Sequence, residues 1–227
     1  MLNAAILDDA MAPTGETLSD HVLRQIQSAI VKGEMPPGSK ISEPELARAY
    51  GISRGPLRDA LHRLEGQKLL VRVPHAGARV VSLSRTELGE LYEIRETLEG
   101  LACRQAAERM HPAQVEELRD VLSLHERDAA FQAGIGYYMQ EGDYDFHYRI
   151  VQGSGNKMLI RLLCDELYQL ARMYRIQYAA TPNRPAQAFA EHHRILDAIA
   201  DKDGELAEML MRRHIRTSRL NIERQIG

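Results

Sequence analysis

The chain has 227 residues, 44% hydrophobic and 27% charged, with a net charge of -3, the balance of a folded protein with one large or two modest domains. Its apolar runs reach only four or five residues, too short for a membrane span, and the start MLNAAILDDAMAPTGE lacks the basic segment of a signal peptide. Two cysteines, Cys103 and Cys164, exclude a disulfide framework and a zinc–thiolate cluster, and both read as small apolar fillers in a reducing, cytoplasmic compartment.

The charge is unevenly spread. Residues 17–83 hold ten Lys/Arg against six Asp/Glu, whereas residues 1–16 carry -3 and read as a flexible acidic leader. A basic segment ahead of an acidic one is the footprint of a small nucleic-acid-binding module joined to a second domain.

Within the basic segment, Leu18, Val22, Ile26 and Ile30 recur every four residues and predict an amphipathic helix over 17–32, stopped by Gly33 and the run Met35-Pro36-Pro37-Gly38. Ser42-Glu43-Pro44-Glu45 reads as a capping box opening a short helix to about Tyr50, which Gly51 ends. Ser53 then caps a third helix with Leu57, Ala60, Leu61 and Leu64 on its inner face. Two short helices around a glycine turn make a helix-turn-helix, and Arg54, Arg58 and His62 fall on the outer face of its second helix. A guanidinium in the first turn of such a helix can fork onto guanine or grip a phosphate. The runs LLVRV and ARVV around Pro74-His75-Ala76-Gly77 predict a β-hairpin wing that brings His75, Gly77 and Arg79 near a groove or the DNA backbone.

The run IVKGEMPPGSKISEPELARAYGISRGPLRDALHRLEGQKLLVRVPHAGARV resembles the winged-helix domain of the GntR superfamily of bacterial transcription regulators. The resemblance implies a DNA-binding domain over 17–82, with Arg54 and Arg58 at operator-contacting positions and Gly77 at the wing tip. One departure is Pro44, which stands where some members carry a base-reading arginine, so their operator sequences do not transfer.

Beyond residue 83 the pattern is helical. Ser84-Arg85-Thr86-Glu87 is a capping box for a helix bearing Leu88, Leu91, Leu98 and Ala102, and Pro112 sits just inside the next, to about Gln132. Four more helices are predicted: about 142–151, a long one over 156–179, one from Pro185 to near Asp201, and one over 204–225. The fold class is therefore mostly α, a winged helix-turn-helix joined to an antiparallel helical bundle over 83–227.

Nine histidines are distributed unequally over these faces. Asp143 and His147 share a face at i, i+4, His192 points with Ile195, Leu196 and Ile199, and His214 points with Ala207, Leu210 and Met211. Three inward imidazoles on three helices, one beside a carboxylate, suit a divalent cation of the Zn, Ni, Mn or Fe class. His21, His111 and His125 show no such organisation and read as surface residues. Arg95 lies in the apolar stripe of its helix, where it either pairs with Glu99 or helps to hold a carboxylate ligand. Arg161, Arg172 and Arg175 fall opposite the apolar face of the long helix and are expected to face solvent or a second subunit.

This region is similar to the FCD effector domain of the FadR-like branch, through D-Y-D-F-H (143–147), S-G-N (154–156), E-H-H-R-I-L-D-A-I (191–199) and A-E-M-L-M-R-R-H-I (207–215). The resemblance implies a metal on Asp143, His147, His192 and His214, and a regulator, not an enzyme. One winged helix contacts few base pairs, so a homodimer on a palindromic double-stranded operator is expected; repression relieved by a small, anionic metabolite is the arrangement common in this family, and zinc stands first among the candidate metals. Two rival readings are a metalloregulator for which the cation itself is the signal, and a metal-dependent hydrolase joined to a DNA-binding domain.

Overall fold

The computed structural model describes residues 17–127, 145–178 and 184–225. Its contacts divide between Ser82 and Leu83 into two compact units. Asp143 lies outside the described residues.

In the first unit, helices α1 (Leu18–Val31), α2 (Glu43–Ala49) and α3 (Arg54–Gly66) precede strands β1 (Leu70–Val73) and β2 (Gly77–Val80). Val22, Ile26, Ile30, Leu46, Leu57, Leu61 and Leu64 are buried almost completely, so the four-residue apolar spacing of α1 meets the inner face of α3. Leu18, at the head of that spacing, is exposed. Polar side chains fix the same contact: Arg63 Nη1 donates to Asp20 Oδ1 at 2.6 Å, and Ser19 Oγ donates to Asp59. Asp20 also completes a capping box with Thr17 at the start of α1. The box expected at Ser42 does not form: Ser42 precedes α2 in an extended conformation, but its side chain makes no capping bond. The α2 carboxylate of Glu43 instead accepts from Arg58 Nε at 3.0 Å and ties α2 to α3.

The hairpin is antiparallel, with Leu70 opposite Val80 and Val73 opposite Gly77. Its turn uses positive φ at His75 (61°) and Gly77 (81°), a conformation glycine adopts without strain. Residues 39–41 line the outer edge of β2, where Val80 N–H donates to Ser39 O at 3.0 Å and Ile41 N–H donates to Ala78 O at 2.9 Å.

In the second unit, α4 (Arg85–Arg109), α5 (Pro112–Arg127), α6 (Phe146–Gly153), α7 (Lys157–Ile160), a π-helical turn (Arg161–Glu166), α8 (Tyr168–Tyr178), α9 (Arg184–Ala200) and α10 (Gly204–Glu223) form the bundle. The Ser84–Glu87 capping box is present at α4. Helix α4 packs most extensively on α10, with α6 and α9 also against it and α5 against α9. Leu88, Tyr92, Leu118, Phe146, Ile195, Leu196, Ile199 and Met211 fill the core.

The long helix expected over 156–179 is instead three segments. A π turn adds a residue to the helical ladder and rotates every later side chain by about 100°. Arg172 and Arg175 are consequently buried or nearly so, not presented to solvent, whereas Arg161, at the start of the turn, is exposed. His125 is also buried, on the inner face of α5.

Candidate operator interface and candidate metal centre

On the first unit, Ser53, Arg54, Arg58 and His62 are exposed along the outer face of α3, opposite its buried leucines. Arg58 and His62 side chains are 63% and 82% exposed. Ser53 precedes the first turn and its hydroxyl makes no capping bond. His75 and Gly77 are exposed at the wing turn. Arg79 is half-buried, on the opposite face of β2 from buried Ala78 and Val80, and its Nη1 donates to Gly38 O at 2.9 Å, which anchors the wing to the loop after α1. Shape and charge therefore suit a groove-reading helix with a flanking wing.

In the second unit, α6, α9 and α10 bring His147, His192 and His214 together in the core. Each is buried. His214 Nε2 lies 3.2 Å from both His192 Nε2 and His147 Nε2. Two metal–nitrogen bonds of about 2.0–2.1 Å at tetrahedral or octahedral angles separate their nitrogens by about 2.8–3.4 Å, so this spacing is that of shared coordination.

The outer nitrogens determine what the inner ones present. His147 Nδ1 lies 2.7 Å from Glu99 Oε2, and His214 Nδ1 lies 2.6 Å from Glu191 Oε2. Burial pushes the Glu99 carboxyl up, but Arg95 and His147 outweigh it and hold the group near about 2. Glu191 is lowered as well, burial being overcome by His214 and Arg184. Ionised carboxylates only accept, so both Nδ1 atoms carry a proton, and a neutral ring held this way presents its Nε2 lone pair inward. In that tautomer two lone pairs face each other across 3.2 Å, an arrangement that a shared cation turns from repulsive to favourable. Burial, and then the neighbouring imidazoles, keep His192 well below its usual range. Burial likewise leads in lowering His214 to about 4, with Glu191 opposing it. His192 and His214 are thus neutral near pH 7, the form that binds metal. The three histidines could hold a metal ion.

A narrow cavity adjoins the cluster, with Tyr92, Arg95, Arg175 and His125 among its walls. Arg95 Nε donates to Glu99 Oε1 at 2.7 Å and its guanidinium lies 4.7 Å from the centre of the Tyr92 ring. Glu99 is thus the partner of Arg95, which nevertheless still lines the cavity. Arg175 pairs with buried Asp145, the residue that caps α6 through the N–H groups of His147 and Tyr148. The Glu99, Glu191, Asp145 and Arg175 contacts were not apparent from sequence. Glu99 had a visible signal, being four residues beyond Arg95, but its reach to His147 crosses helices.

A basic winged helix-turn-helix followed by a helical bundle with a buried histidine cluster is the architecture of a two-domain, DNA-binding transcription regulator. Residues 18–80 match the family described as bacterial regulatory proteins, gntR family, and residues 90–217 match the FCD domain. The chain belongs to the gntR family, in its FCD-containing form, and is a transcription regulator rather than an enzyme. It is 32% identical over 206 residues to the probable D-xylose utilization operon transcriptional repressor of Paenarthrobacter nicotinovorans, covering 89% of this chain and 87% of that one. It is 27% identical to the HTH-type transcriptional repressor GlaR of Escherichia coli, over 86% and 90% of the two chains. The fold is shared with E. coli McbR/YncC, at a TM-score of 0.74 and 22% identity over 93% of this chain and 100% of that one. It is also shared with a putative GntR regulator from Rhodococcus sp. RHA1, at a TM-score of 0.70 and 21% identity over 90% and 96%. Among the described residues no helix is long and apolar enough to cross a membrane.

Proposed function

We propose that this regulator is a cytoplasmic, homodimeric repressor whose operator affinity is controlled by a small carboxylate metabolite bound at a metal ion in the FCD domain. The observation that carries the proposal is the 3.2 Å approach of His147 Nε2 and His214 Nε2, each ring backed by a carboxylate, Glu99 and Glu191, at its Nδ1. His192 supplies a third nitrogen and Asp143 a fourth, oxygen ligand. Neutral imidazoles with one carboxylate suit zinc first, with nickel, manganese or iron as the other cations of that donor class. The ion supplies a Lewis-acidic point for one end of the metabolite, and Arg95 beside it supplies a guanidinium for a carboxylate.

On the DNA, Arg54 and Arg58 read or grip the major groove from the outer face of α3, with Ser53 and His62 beside them. His75 and Gly77 approach the backbone from the wing, and Arg79 acts by holding the wing in place. One such unit spans few base pairs, so two copies on a palindromic site supply the specificity. An effector lowers operator affinity only by binding the released geometry better than the DNA-bound one.

The test is operator affinity, measured by fluorescence anisotropy on the regulator's own promoter fragment with metal-loaded and metal-stripped protein. A carboxylate ligand should weaken DNA binding by the metal-loaded protein at least tenfold and leave the metal-stripped protein unaffected. Equal responses of the two forms would overturn the role given to the metal.

A further inference from the structure

We propose that Glu43 is a positioning residue for operator recognition: its carboxylate aims the Arg58 guanidinium at a guanine and withholds it from phosphates. This rests on the reading above that sets the outer face of α3 in the major groove, and it divides the work along that face. Arg58 Nε donates to Glu43 Oε2 at 3.0 Å. Arg54, one turn earlier, makes no ion pair among the described residues. The two guanidinium groups of the helix therefore differ in net charge and in freedom.

The tie is built on fixed elements. Glu43 opens α2, Pro44 follows within the first turn, and Leu46 is buried where α2 packs on α3. The Glu43 side chain is 28% exposed against 63% for Arg58, so the acceptor lies at the base of the guanidinium and its Nη end projects outward. A partly exposed pair of this kind is weak in free solution. Docking of the helix into a groove removes water around the pair and strengthens it, so the geometry is held most firmly where it is needed.

The chemistry of the pair selects its target. With Nε–H engaged by Glu43, the two Nη groups remain, and their outer edge matches O6 and N7 of guanine in an end-on fork. A phosphate also offers acceptors, but its full negative charge would meet the Glu43 carboxylate beside the guanidinium. The pair as a whole is neutral, so its attraction to the DNA backbone is small, whereas the uncharged acceptors of guanine are unaffected. Base edges carry sequence information and phosphates do not. The carboxylate that weakens backbone attraction therefore raises the ratio of specific to non-specific binding.

The experiment selects duplexes from a randomised pool with the full natural chain. Anisotropy across a salt series then gives affinities for the selected duplex and for a scrambled duplex of equal length. Glu43→Gln should lower the ratio of selected to scrambled affinity by about tenfold or more, the discrimination expected of one bidentate guanine contact. It should also tighten binding to the scrambled duplex and steepen its salt dependence by about one released counterion per subunit, because Arg58 regains its charge for phosphates. Glu43→Asp should restore part of the ratio. For the natural chain, 7-deazaguanine at one guanine of each half-site should weaken binding by about tenfold or more, and Arg58→Ala should show no such penalty. Equal changes on the two duplexes in Glu43→Gln, of either sign, or an unaltered salt dependence, would overturn the proposal, since a residue that merely ties α2 to α3 would give those results. So would 7-deazaguanine that is tolerated at every position. Each of these outcomes leaves the major-groove reading standing. That reading falls, and the proposal with it, if Arg54→Ala and Arg58→Ala both bind the selected duplex as the natural chain does. The 7-deazaguanine series needs only the natural chain, so it tests the guanine assignment even where a variant fails to fold.

Discussion

Replacing Glu191 by glutamine tests whether the carboxylates behind the histidines organise the metal site. The Glu191 side chain is 29% exposed, and one of its oxygens accepts from both His214 Nδ1 at 2.6 Å and Arg184 Nη1 at 2.8 Å. A glutamine carbonyl can still accept both bonds, so helix packing and the Arg184 position are retained. What is lost is the negative charge that raises the basicity of His214 Nε2. Loss of such an outer partner typically lowers metal affinity about 10- to 100-fold, or about 1.4–2.8 kcal/mol. Competition against a chromophoric chelator measures this directly. His193→Ala is the matched control: His193 stands edge-on to Phe189, away from the cluster, and its removal should leave metal affinity unchanged. Unaltered affinity in Glu191→Gln, or an equal loss in His193→Ala, would refute the assignment of His214 as a ligand oriented by Glu191.

Other substitutions probe the remaining parts. Arg54→Ala should abolish sequence-specific operator binding with fold and oligomeric state intact, as read by anisotropy and size-exclusion chromatography; unchanged affinity would reject the recognition-helix assignment. Arg79→Ala should act through stability, lowering that of the DNA-binding unit by about 1 kcal/mol through loss of the bond to Gly38, as denaturant unfolding would show. Leu61→Ala, at a fully buried position, should cost about 2–5 kcal/mol. In metal-free protein, the folded values of His192 and His214 lie below that of the unfolded chain, so the unfolded state takes up more protons as pH falls from about 6.5 toward 4. Stability should therefore decline across that window, and depressed Glu99 should extend the loss from about 4.5 downward. Bound metal should suppress the upper part of the decline, and a flat acid profile of metal-free protein would contradict the buried neutral histidines.

The legible parts of this molecule are those where periodicity and chemistry coincide. His192 and His214 share a phase with apolar neighbours and His147 with a carboxylate four residues before it, and the fold places the three histidines within one cluster. The winged unit was readable because its leucines and turn residues are local signals, each within a few positions of the next. Helix α4 was harder, since Arg95, Glu96 and Glu99 are all buried and its apolar stripe is correspondingly interrupted. Their partners come from other elements: Arg216 of α10 makes two bonds to Glu96, and His147 of α6 meets Glu99. The inward turn of Arg172 and Arg175 had no sequence signal because a π turn of ordinary residues, Arg161–Glu166, breaks the 3.6-residue phase without a proline or glycine to mark it.

The most direct measurement is elemental analysis with native mass spectrometry on protein purified without added metal or chelator, for the natural chain and for His192→Ala. The natural chain should carry one divalent ion per subunit in a dimer, and the variant should be a folded dimer without it. A metal-free natural chain that takes up neither zinc, nickel nor manganese, or a variant that keeps a full complement, would contradict the histidine site on which the account rests.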